Sequence, residues 1–183
     1  MSFLAGIIYL EAGGVTSNCC IVVYSETDVV EQAIDELQVT GYNFRQLSVM
    51  GGGHDMKTCL PGLYRTEGNV CLLGPQADFW NTLCDHFNGI AYYWDHDFGS
   101  LMLAGQMIDL LTHEMPNVDI VDGFSLFGST LFMLGVPRDS IKEYESAIKA
   151  EKTLLLFHGD SKDVEHICDV LHGETQQVTV HRA

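Results

Sequence analysis

The stretch 19–25, CCIVVYS, is a continuous apolar, largely β-branched run, as a strand shows when both of its faces are covered. The period changes directly after it. In TDVVEQAIDELQVTG, Asp28 and Glu31 have the spacing of an N-terminal cap, Val30, Ala33, Ile34 and Leu37 form one apolar face, and Gly41 stops the helix. FRQLSVMG (44–51) then reads as a strand of mixed polarity, less buried than the first. The far end of the chain repeats the plan. KTLLLFHG (152–159) is a second solid apolar strand. Ser161 caps a helix with the stripe Val164, Ile167, Cys168 and Leu171, Gly173 ends it, and QQVTVHR (176–182) alternates about Val178 and Val180. Two strand–helix–strand units, each with one solid and one alternating strand, predict an α+β fold. Its expected core is a ferredoxin-like βαββαβ sheet with the solid strands central and the alternating ones at the edges.

One domain is expected over residues 1–183, with sheet halves at 19–51 and 152–182 and a large helical insertion at 52–151 between the second and third strands. The insertion opens on a glycine-rich loop, GGGHDMKTCLPG, and continues in helical segments near 76–94, 99–115 and 122–134. PRDSIKEYESAIKAE closes it, with Ser140 and Glu143 as a capping box and Ile141, Tyr144 and Ile148 toward the core. This much apolar surface does not hang free. It is expected to form a layer on the sheet or to meet copies of itself.

Nine basic against 25 acidic residues leave a net charge of −16, which disfavours nucleic acid and anionic membranes as partners. The six cysteines form no C-x-x-C, and adjacent Cys19 and Cys20 point to opposite faces of a strand, so buried thiols in a reducing cytoplasm are expected. The apolar run Phe3 to Leu10 has no Lys or Arg before it and makes a poor signal peptide. FWNTLCDHFNGIAYYWDHDFG (79–99) has the aromatics of a membrane hairpin, but Asp85 sits in its middle. One Asp costs about 2.5–3.5 kcal/mol at the centre of a membrane helix. Asp109, His113, Glu114, Asp119 and Asp122 interrupt the next segment, and no membrane insertion is expected.

The segments ELQVTGYNFRQLSVMG, GLYRTEG, DFW and AYYW around a glycine, and LGVPRDSIKEYESAIKAEKTLLLFHG resemble a family of bacterial proteins of unknown function, labelled general-stress or permease-like. The likeness runs from about Ile21 to His181. It implies a glycine-zipper hairpin set inside a small α/β unit, with Gly74, Gly89, Gly99, Gly105, Gly123, Gly128 and Gly135 at its glycine-rich positions, and it brings no reaction or ligand. Here the hairpin is salted with acid and imidazole.

That salting holds the strongest chemical signal. Asp85–His86 and Asp95-His96-Asp97 lie ten residues apart, so a helix that ends and turns between them brings them together, and Asp109 and His113 share a helix face. His86, Asp95, His96, Asp97 and His113 are the candidate ligands of a divalent transition metal. Met50, His54, Met56 and Cys59 offer softer donors suited to copper(I). Nucleophilic catalysis has little support: Ser125 lies in GFSLFG without a base, Cys84 and His86 diverge on a helix, and Glu143 and Glu145 read as a solvated pair.

Three functions follow as expectations. The first is a non-enzymatic, cytoplasmic, stress-type protein that forms homo-oligomers through its insertion, with Phe79, Trp80, Phe87, Tyr92, Tyr93 and Trp94 as interface aromatics. The second is a metal-binding or metal-storing oligomer using the Asp/His set. The third is an enzyme or small-molecule sensor with a cleft between sheet and insertion, where His54 or His158 is the polar group.

Overall fold

The structure, a computed structural model, describes residues 18–53, 62–66, 76–87, 89–95, 99–114, 123–171 and 177–181. In chain order the elements are β1 (Asn18–Tyr24), α1 (Thr27–Val39), β2 (Leu47–Gly52), β3 (Gly62–Thr66), α2 (Ala77–Phe87), β4 (Ile90–Asp95) and β5 (Gly99–Gly105). They continue with α3 (Gln106–Glu114), α4 (Leu126–Met133), α5 (Arg138–Lys149), β6 (Thr153–Gly159), α6 (Ser161–Leu171) and β7 (Gln177–His181). The strands form one sheet of seven in the order β3-β4-β5-β2-β6-β1-β7, with antiparallel neighbours throughout.

The α+β class holds, but the expected four-stranded ferredoxin-like sheet does not describe the molecule. The region read as a helical insertion contributes three strands of its own, and β5 pairs along β2, so β2 is interior and its side chains are buried. The two flanking segments supply the run β2-β6-β1-β7, in which β1 and β6 are inside as expected.

The misread hairpin has a physical cause. Along β4 the side chains alternate between two cores, Ile90 to one and Ala91 and Tyr93 to the other. A strand apolar on both faces carries no polar beat, and its run cannot be told from a buried helix by periodicity alone. Gly89 (φ 139) separates β4 from α2, and Gly99 (φ 97) opens β5.

Helices cover both faces. α1, α2 and α6 send Val30, Ile34, Trp80, Leu83, Val164 and Ile167 onto one face, where Val22, Val49 and Phe157 meet them. α3, α4 and α5 send Met107, Leu111, Phe127, Leu131, Ile141 and Tyr144 onto the other, against Ile21, Leu103 and Leu156. The expected stripes of α1, α5 and α6 are all buried. The caps differ. α1 begins at Thr27 without a side-chain cap, α5 begins after Pro137, and Asp160, not Ser161, accepts from the backbone N–H of Lys162 and Asp163 at 3.1 Å.

Two junctions need glycine. A Cβ on Gly51 would come 2.9 Å from Trp80 Cζ2 and one on Gly53 2.8 Å from Tyr92 Cε2, so the start of the expected glycine-rich loop is instead strand and close packing. At Gly105 (φ +83) a Cβ would collide with the Leu47 carbonyl oxygen. There the chain turns from β5 into α3, and the buried Ser48 Oγ accepts from Met107 N at 2.9 Å, satisfying one orphan donor of the helix start.

Candidate functional site

The described members of the expected divalent set stand on separate elements. His86 is exposed near the end of α2 with its ring stacked on Phe44, 6.5 Å between centroids. Asp95 ends β4, which at about 3.3 Å per residue carries it roughly 16 Å beyond Ile90. His113 is on α3, on the opposite side of the sheet from α2. His96 and Asp97 lie outside the described residues. The turn expected to unite these side chains is a strand, and among the described residues no three His, Cys, Asp or Glu side chains gather into a metal site.

Met50, the first of the soft donors, is buried in the core, while His54, Met56 and Cys59 are outside the described residues. Cys84 is buried on α2 and His86 exposed, as the helical spacing implied. Ser125 caps α4, accepting from Gly128 N at 3.0 Å and donating to Glu145 Oε1 at 2.5 Å. Glu145 is therefore no solvated partner of Glu143: it ties α5 to the start of α4. The thiol expectation also needs correction, because Cys20 of β1 and Cys168 of α6 form a disulfide. Two helically and strand-spaced apolar stripes met there, and nothing in their sequence separation announced it.

A different cluster emerges on the α5 side of the sheet. Cys19 stands on β1 directly between His158 on β6 and His181 on β7. Residues opposite one another in register share a face, so thiol and both imidazoles point to the same side. Tyr144 of α5 reaches down to them, its hydroxyl 2.8 Å from His181 Nε2, and Thr179 donates a second hydrogen bond to it. Burial pushes the Tyr144 phenol up to about 12, with the Thr179 bond pulling the other way. Burial also pushes the Cys19 thiol up to about 12 and lowers both histidines. The group is a neutral, protonated-thiol cluster, not an activated nucleophile. His158 Nδ1 is buried and has no hydrogen-bond partner among the described residues. Of this cluster the sequence pointed to His158 alone; the others are joined only by register.

Beside it an open groove of about 670 Å³ runs between α5 and β1, lined by Val23, Lys142, Tyr144, Ala147 and Lys152. At the end of α4, Phe132 and Met133 are 39% and 54% exposed. The Arg138 guanidinium lies 5.4 Å from the Phe124 ring centroid and 5.2 Å from that of Phe132. The aromatics expected at an interface are mostly spent inside: Phe79, Trp80 and Tyr93 are buried, and Phe87, Tyr92 and Trp94 are half-buried.

No family model matches the chain, and neither the curated proteins nor the solved structures yield a match. The likeness to the general-stress, permease-like family therefore rests on the quoted segments alone. Among the described residues no helix is long and apolar enough to cross a membrane.

Proposed function

We propose that the protein is a non-enzymatic, self-associating protein, and that the Phe132–Met133–Arg138 patch of the insertion is its contact. The carrying observation is the exposure of Phe132 and Met133 around an arginine held over two rings. Arg, Phe and Met are the residue types enriched at interface centres. The occupant is a second copy: in a chain with 25 acidic residues, Arg138 has carboxylates such as the exposed Asp139 and Glu143 of a partner copy to meet. A patch this small supports a weak dimer, and net charge opposes it until salt screens the repulsion. Native mass spectrometry and sedimentation at tens of micromolar, without detergent, test the reading. A dimer that Met133→Glu dissolves supports it; a monodisperse wild-type monomer overturns it. The cytoplasmic location expected with it has the Cys20–Cys168 bridge against it, since reducing compartments keep thiols reduced.

The groove favours a second reading, small-molecule binding between sheet and insertion, with the Tyr144 ring as wall and Lys142 and Lys152 at the rim. A metabolite panel that shifts the melting of wild type and not of Ala147→Trp supports it. No shift with any compound removes it.

A further inference from the structure

We propose that Cys19 and His158 form a two-coordinate site for a soft monovalent cation, with Cu(I) as the test ion. It uses none of the Asp/His residues of the loops and is independent of self-association. Cys19 and His158 are cross-strand neighbours on one face. Opposed Cα atoms lie about 4.5 or 5.5 Å apart by pair type, which starts the ring within one side-chain length of the sulfur. His181 flanks Cys19 equally but is withdrawn, its Nε2 engaged by Tyr144. His158 is not: its buried Nδ1 has no hydrogen-bond partner among the described residues, a state a bound ion would relieve. The sulfur is free, since Cys20, the next residue, faces the other core and takes the bridge to Cys168.

The donor count sets the ion. Among the described residues no three His, Cys, Asp or Glu side chains gather into a metal site, and His181, the other imidazole on this face, is held by Tyr144, which argues against a four-coordinate zinc site. A thiolate and an imidazole on one sheet face fit Cu(I), which soft sulfur ligands select. The step balances without redox change: Cu(I) binds Cys19 Sγ and His158 nitrogen, the S–H bond breaks, and its proton leaves to solvent. Because ligation releases the thiol proton, affinity rises with pH.

The experiment is an anaerobic Cu(I) titration against a chromogenic chelator, without thiol reductant, so that the Cys20–Cys168 bridge stays intact. Wild type is expected to hold one ion per chain. Cys19→Ser and His158→Gln lower the affinity at least a hundredfold, whereas Cys84→Ser and the double variant Cys59→Ser, Cys71→Ser leave it unchanged. No binding by wild type, or full affinity in folded Cys19→Ser, overturns the site. Should either variant fail to fold, X-ray absorption on the wild type decides: one sulfur and one nitrogen are expected, and two sulfurs or a three-coordinate ion overturn it.

Discussion

Tyr144 of α5 and His181 of β7 meet through a 2.8 Å hydrogen bond beneath the helix layer, both almost wholly buried. The bond fastens the edge strand to a helix that belongs to a distant part of the chain. Tyr144→Phe removes it and strands a buried imidazole nitrogen. The expected loss is about 1–3 kcal/mol, the cost of an unsatisfied buried polar group, read as a lower urea midpoint with an unchanged slope. Loss of less than a few tenths would mean that water replaces the hydroxyl.

Acid should weaken the fold before any carboxylate does. Burial lowers both His158 and His181 below the usual 6.5. A base with a depressed folded-state value binds fewer protons folded than unfolded, so stability is full above about pH 6.5 and is lost as pH falls toward the folded values. Thermal melts from pH 7.5 to 5.5 should show a falling midpoint. The slope should be shallower in a folded His158→Gln variant. A flat profile would place both rings in contact with solvent.

Reduction should act from the opposite face. The Cys20–Cys168 bridge closes a loop of sequence separation 148, for which chain entropy gives about 5 kcal/mol of stabilisation. Cys168→Ser and reductant-treated wild type are expected to melt together, well below the oxidised protein. Identical melts with and without reductant would show that the bridge does not form.

Gly105→Ala should be among the most damaging small substitutions. Its φ of +83 costs a side-chain-bearing residue about 1–3 kcal/mol, and the new methyl runs into the Leu47 carbonyl, which is strand backbone and cannot yield cheaply. Soluble yield and melting point should both drop, while Gly41→Ala, at φ +77 in open space, pays the backbone cost alone.

Much of this fold could be read in advance wherever one face of an element differs from the other. Val30, Ala33, Ile34 and Leu37 on α1, and Val164, Ile167, Cys168 and Leu171 on α6, alternate against charge, and both stripes are buried as expected. β4 and β5 escaped because they are covered on both sides and read as helix. That one error changed β2 from edge to interior and parted His86 from His113. The Cys19 cluster escaped for a different reason. Positions 19, 158 and 181 share no spacing, and pairing register, which joins them, is a property of three strands and not of any one segment. Glu145 looked solvated because its partner Ser125 lies on another helix start.

The adjacency of Cys19 and Cys20 carries one more consequence. A single peptide unit separates a sulfur locked to α6 from a sulfur facing imidazole, and the thickness of the sheet insulates one from the other. Strand parity alone assigns the two fates. Deleting one residue ahead of β1's apolar run, with the pairing otherwise held, would set Cys20 between the histidines and Ile21 opposite Cys168, so the bridge would lose its partner. The sulfur chemistry of this protein is thus written in odd and even positions, and it is far more sensitive to a shift in reading frame along β1 than to replacement of its neighbours.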